Sequence, residues 1–219
     1  MTPLRVQARI RSAISLPGSL LMLDSLLASV VAKEQGLDTS FVATLQPTEI
    51  VIPVAKSECG RYHLASAAEY EWEERESTWV NKPSPVAAAQ LWANDKVRME
   101  QSSGLSKPWR LPIATGWVKG DLLTWYFIGD AAEIERLLSY VTHLGKRAAV
   151  GKGEVAEWAV DSCEAWAGYP VLRGGYPLRP LPTDTPELAE DVYIADGRLT
   201  YPYWMQEGRD WVALPEPKW

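Results

Sequence analysis

The chain has 219 residues, 47% of them hydrophobic and 23% charged. That is enough to bury the core of one large domain or two small ones, and it is unlike a disordered or fibrous composition. A net charge of −6, from 28 acidic and 22 basic residues, argues against coating nucleic acid over the whole surface but not against one basic face. With no secretory signal and no apolar run of bilayer-spanning length, a cytoplasmic protein without membrane contact is expected. Cys59 and Cys163 have no metal-type spacing and are expected to be ordinary buried thiols. Eleven tryptophans are many, which predicts that some are exposed or at interfaces.

Leu4, Val6, Ala8 and Ile10 alternate with Arg5, Gln7, Arg9 and Arg11. That period of two predicts a strand with one face on a core and a basic opposite face, whose arginines either bind a partner or are simply solvated. Pro17-Gly18 makes a turn, and Leu21 to Lys33 predicts a mostly buried helix stopped by Gly36. Ile50 to Ala55 predicts a strand, with Pro53 suiting an edge or a bulge, and Arg61 to Ser66 a partner for it. Glu69, Glu71, Glu73, Glu74 and Glu76 then crowd one short segment.

Between Glu69 and Lys119 the periodicity is lost in a stretch rich in Trp, Lys, Arg and Pro, including Trp72, Trp79, Trp92 and Trp109. An irregular insertion of that length points to function. Lys107, Trp109 and Arg110 set an aromatic ring among cations, which suits stacking on splayed bases; the same tryptophans would equally serve a second small core. Leu122 to Ile128 predicts a clear strand, ended by Gly129-Asp130. Asp130 and Glu133 suit a helix start. Ile134, Leu137, Leu138, Val141 and Leu144 fall on one face of a helix running from Asp130 to Leu144, with Gly145 as its stop. Val155, Trp158 and Val160 begin another strand.

The order strand, helix, strand, insertion, strand, helix, loop, strand predicts an α+β fold: a ferredoxin-like (RRM-like) βαββαβ domain. From Asp161 the chain is rich in Pro, Gly and Tyr and predicts a small β-rich appendage, with short strands near Val192 to Ile194 and Arg198 to Trp204 and a loosely held end from Leu214.

The segment from Gly145 through Lys146, Arg147, Gly151 and Lys152 to Gly153 carries three cations and three glycines with no acid. Amides freed by glycine, together with cations, suit phosphates; the alternative is a flexible solvated connection. It is not a nucleotide-binding P-loop, because it follows a helix and enters a strand.

Gly145-Lys146-Arg147, then Gly151-Lys152-Gly153-Glu154-Val155 entering a strand, resembles the glycine-rich loop of the RAMP superfamily of CRISPR-associated RNA-binding proteins. Leu20 to Ala32, directly after the first strand, and Pro177 to Pro182 are similar to stretches of the Cas-five-like backbone subunits of type IV CRISPR effector complexes. The resemblance implies a RAMP domain over 1–160, with a central first strand and a thumb-like insertion at about 67–120 that reaches along guide RNA, and an appendage over 161–219. It implies a guide-RNA-binding backbone subunit of an antiviral ribonucleoprotein that caps the 5′ handle of the crRNA. Its partners would be the crRNA and other backbone and large subunits, with target DNA and a helicase reached through the complex. The implied RNA-binding residues are Gly145, Lys146, Arg147, Gly151, Lys152, Gly153, Arg9, Arg11, Lys107, Trp109 and Arg110, with no cofactor or metal.

The superfamily also includes RNA-processing nucleases, so His63 and His143 need weighing. His143 falls in the last turn of the predicted helix, where the dipole alone favours it, and no spacing supplies a second group across a scissile phosphate. A non-catalytic role is expected. The alternatives are a CRISPR RNA-processing endonuclease and a Trp-rich protein-interaction module.

Overall fold

The computed structural model describes residues 2–16, 20–37, 50–81, 110–203 and 207–216, and only the backbone of 76–81, 110–114 and 149. The alternation at the start becomes β1 (Pro3–Ile10), with Val6, Ala8 and Ile10 buried. β1 is the middle strand of an antiparallel sheet, between β5 (Leu122–Ile128) and β6 (Val155–Ser162). Leu123, Trp125 and Phe127 of β5 are buried in the same core. The indole of Trp125 donates to the Leu21 carbonyl at 2.9 Å, which satisfies its one polar atom inside the core.

Two helices pack on that core. α1 (Leu23–Glu34) contributes Leu23, Leu27, Val30 and Val31 at helical spacing. It stops where Gly36 takes φ 67°, as expected of glycine past a last turn. α2 (Ala131–Leu138) starts at Asp130, whose carboxylate accepts from the Glu133 amide at 3.2 Å, and buries Ile134, Leu137 and Leu138. Among the described residues no helix is long and apolar enough to cross a membrane.

A second sheet has the order β2 (Ile14–Leu16), β4 (Arg110–Val118), β3 (Trp72–Asn81). The predicted insertion therefore starts and ends in an antiparallel pair, from Trp72↔Val118 to Asn81↔Arg110 with a register shift between Trp72 and Glu74. After β6 come the short pair β7 (Leu172–Arg173) and β8 (Tyr176–Pro177), then a third sheet of β10 (Tyr193–Gly197), β11 (Asp210–Leu214) and β9 (Leu181–Pro182).

The expected ferredoxin-like βαββαβ domain is not what forms. The described chain is mostly β, with two helices and four small antiparallel sheets. The physical reason lies in residues 50–69. Pro53 has no amide, and among the described residues Ile50 to Ala55 makes only the single bridge Val54↔Gly129, just past the end of β5. Arg61 to Ser66 likewise keeps only isolated bridges, Lys56↔His63 and Ala65↔Phe127. Its His63 and Ala65 carbonyls accept from the buried guanidinium of Arg179 and not from a neighbouring strand.

Other expectations are also corrected. α2 ends six residues before Leu144. The β-branched pair Val141-Thr142 disfavours helix, and residues 142–144 pair instead with 153–155, through Val155 N to Thr142 O (2.9 Å) and Leu144 N to Gly153 O (2.8 Å). His143 thus sits in an extended bridge with Glu154. Residues 198–203 form no strand, whereas Asp210–Leu214 does. Cys59 is exposed and Cys163 half-buried, so the expectation of two buried thiols fails. Residues 17–18 lie outside the described residues.

Candidate nucleic-acid interface

The basic glycine loop is closed at its base by backbone hydrogen bonds. Leu144 N donates to Gly153 O (2.8 Å), Gly153 N to Ala13 O (2.9 Å) and Lys146 N to Ser15 O (2.7 Å). Inside it a single 3-10 turn, Ala148–Val150, is bracketed by Arg147 at φ 68° and Gly151 at φ 76°. The amides of Lys146, Val150, Gly151, Lys152 and Gly153 all donate to the protein's own carbonyls. What the loop offers outward is therefore chiefly charge. Lys146 and Arg147 are exposed and Lys152 is half-buried. Among the described residues none of the three is in an ion pair.

The glycines divide by role. At Gly153 a Cβ would lie 2.0 Å from the Leu144 carbonyl oxygen, and at Gly145 it would lie 2.5 Å from that of Ser15; at Gly151 it would meet nothing within 4 Å. Gly145 and Gly153 let backbones touch, whereas Gly151 turns the chain in open space. Arg147 is the loop's non-glycine residue at positive φ, as Asp121 is between β4 and β5. A non-glycine residue there costs about 1 kcal/mol or more.

The loop sits on β2, through the bridge Ser15↔Lys146, and the other edge of β2 pairs with β4 (Ile14↔Gly116 to Leu16↔Ala114). The loop and the β3–β4 pair thus flank one short strand. Arg110 lies at the end of β4 beyond its pairing with β2. Lys107 and Trp109 lie outside the described residues, as does Trp92. Trp72 packs on the main core, edge-on to Tyr70 at 5.4 Å, which is core use of one of the tryptophans. Lys119, at the base of the pair, is bound to Glu71 at 2.9 Å.

The basic face expected on β1 is largely neutralised. Arg5 pairs with Asp161 at 3.5 Å, and the Arg11 guanidinium is hydrogen-bonded to Glu154. Arg9 is exposed, in register with Glu157 of β6. The Arg11 hydrogen bond holds the Glu154 carboxyl below its usual range. Arg11 adjoins the loop through Glu154, but Arg9 belongs to the open sheet face and does not join the three loop cations. Part of that face is covered by Trp166 and Tyr169, both edge-on to Tyr126. Arg173 stands 4.3 Å over the Trp166 ring and pairs with Glu69 at 2.8 Å.

His143 has Nδ1 3.1 Å from Thr142 Oγ1. His63 is buried, its Nδ1 3.7 Å from Asp24 Oδ2, too far for a hydrogen bond.

The feature that the sequence reading missed is the polar cluster around Arg179. This fully buried guanidinium donates to Asp24 Oδ2 (3.2 Å), Ala65 O (3.1 Å), Leu199 O (2.5 Å) and the Tyr203 hydroxyl (2.7 Å), as well as to His63 O. It ties α1, the 63–65 segment and the chain after β9 into one unit. One signal was available: Asp24 is the only charge in the apolar run Leu20 to Ala32.

Residues 69–215 match the family model described as CRISPR type IV associated protein Csf3, in agreement with the resemblance to type IV Cas-five-like proteins. No curated protein matches the chain.

Proposed function

This chain belongs to the family of the CRISPR type IV associated protein Csf3, and from that premise we propose that it is a guide-RNA-binding backbone subunit of a type IV effector complex. In this reading it works in the cytoplasm in antiviral defence and caps the 5′ handle of the crRNA. It contacts other backbone and large subunits and meets target DNA and a helicase only through the complex. It binds by shape and phosphate charge and does no chemistry of its own.

The observation that carries the reading is the loop of Lys146, Arg147 and Lys152. It is closed on its own backbone, it stands beside the β3–β4 pair, and among the described residues its cations hold no acid while Arg5, Arg11 and Lys119 each do. The left-handed Arg147 supports the same view, since a costly conformation kept at an exposed cation suggests a role outside folding.

The test is a salt titration of RNA binding, on the soluble protein or the reconstituted complex. Each lost phosphate contact on single-stranded RNA flattens the log–log slope by about 0.7, so Lys146→Ala with Arg147→Ala should flatten it by about 1.4. The loss should be independent of base identity, because phosphate contacts position a strand without reading it. An unchanged slope would assign these charges to solvent. His143→Ala is expected to leave guide-RNA maturation intact. Uncut precursor accumulating in that variant would favour the endonuclease reading.

A further inference from the structure

Between Asp184 and Glu216 there are eight acidic and two basic residues, a net of −6, which equals the net charge of the whole chain. The acidity is therefore local to the β9–β11 region, and the other residues balance. Both bases there are already held: Arg209 by Asp196 at 2.6 Å, and Arg198 on the Pro202 carbonyl at 2.9 Å. In the same region lie three of the most exposed large apolar side chains: Tyr193 at 53%, Ile194 at 48% and Trp211 at 66%. Tyr193 and Ile194 are neighbours on β10, so they stand on opposite faces of the strand. β10 is the outer strand of its sheet, and among the described residues nothing pairs with its free edge.

An unpaired edge presents amides and carbonyls that another strand can use. Natural edges are blunted by lysine or proline, or are kept polar. This one has neither residue between Tyr193 and Gly197 and displays large apolar groups instead. We propose that the free edge of β10, with Tyr193, Ile194 and Trp211 as anchors, docks a basic extended segment of another protein, which adds to the sheet as a further strand. Charge decides among occupants. RNA phosphates are repelled by a segment of net −6, of which only Asp184 is ion-paired from outside it among the described residues, by Arg61 at 3.3 Å, and a second copy would bring the same acids edge to edge. A strand carrying lysine or arginine gains attraction together with backbone pairing.

This goes beyond the RNA reading and does not rest on it. The probe is an array of overlapping peptides of about fifteen residues, enough to lie along a five-residue edge with flanks, drawn from the proteins encoded beside this one and from this chain itself. The full-length protein should retain peptides rich in lysine or arginine. In solution the retained peptide should slow hydrogen exchange at residues 193–197 and should bind more weakly in high salt. Ile194→Lys with Trp211→Lys should weaken it by about tenfold or more, as loss of central anchors does. Glu190→Lys, outside the strand, should weaken it severalfold by charge alone, which keeps the test decisive if the double variant unfolds. Both variants should leave the salt slope of RNA binding unchanged. The proposal is overturned by an array that retains nothing, by retention of acidic peptides or of the chain's own, by RNA that displaces the peptide from β10, or by a bound peptide that leaves exchange at 193–197 unaltered.

Discussion

Arg179→Met should destabilise the protein by about 3–5 kcal/mol, the usual cost of removing one partner of a buried ion pair. Arg179 and Asp24 are both fully buried. Without the guanidinium, the Asp24 carboxylate keeps the Tyr203 hydroxyl at 2.7 Å and the His63 ring at 3.7 Å, but among the described residues it has lost its only arginine or lysine partner. The carbonyls of Ala65 and Leu199 lose the Arg179 donor as well, and that of His63 keeps only the Ala65 amide. At about 2–4 °C per kcal/mol for a chain of this size, the melting temperature should fall by about 6–20 °C. Asp24→Leu combined with Arg179→Met should recover part of the loss, since no isolated charge then remains buried. Full additivity in the double variant would show that the two residues do not act as a pair.

The same pair sets an acid limit. Burial raises the Asp24 pKa, but Arg179, together with His63 and the Tyr203 hydroxyl, more than offsets this, so the folded value lies below the usual carboxylate range. A depressed folded pKa gives stability that is full above the unfolded value of about 3.9 and is lost as pH falls through the folded one. Acid unfolding below about pH 4 should therefore be shallower in Asp24→Asn. An identical acid limb in wild type and variant would remove Asp24 from this role.

Elements whose side-chain pattern alone fixes them were legible in the sequence. Leu4 to Ile10 alternates and Leu122 to Ile128 is a short apolar and aromatic run, and they form β1 and β5. Leu21 to Lys33, with Gly36 after it, forms α1 within two residues. Elements decided by a distant partner were not legible. Residues 61–66 have strand composition, yet two of their carbonyls accept from Arg179 more than 110 residues away. The periodicity of 130–144 is helical to the end, but pairing of 142–144 with 153–155 draws its last part into extended chain. Those two local losses separate a βαββαβ order read from punctuation from the mostly β arrangement that forms.

The candidate site divides in the same way. The loop cations could be found because charge with no acid between Gly145 and Gly153 stayed, among the described residues, charge outside any ion pair. The arginines of β1 could not be judged, because Asp161 and Glu154 reach them only through the register of β6. The aromatic cover of Trp166 and Tyr169 on the open face also depends on tertiary packing, and no spacing announces it.

Gly153→Ala should cost several kcal/mol, whereas Gly151→Ala, two residues away, should cost only about 1–2 kcal/mol. Both glycines have positive φ, 70° and 76°, so both substitutions incur the left-handed cost of an L-residue. Only at Gly153 does the new carbon also meet backbone, 2.0 Å from the Leu144 oxygen. Relief would require the Leu144 carbonyl to move, and the amide of the same residue donates to the Gly153 carbonyl at 2.8 Å. Overpacking of this kind adds about 1–3 kcal/mol to the conformational cost. Denaturant unfolding of both variants measures the difference, and equal losses would mean that the loop base is not closed in this way. RNA binding should rank the two in the opposite sense. Gly151 faces open space on the loop's outer side, beside Lys152, where a methyl group disturbs a bound strand more than the fold. Gly151→Ala should therefore lose more in affinity than in stability, and Gly153→Ala the reverse. If Gly151→Ala bound RNA as well as the wild type, the backbone at that position would not be part of the RNA surface, and only the charges of Lys146, Arg147 and Lys152 would remain to hold the strand.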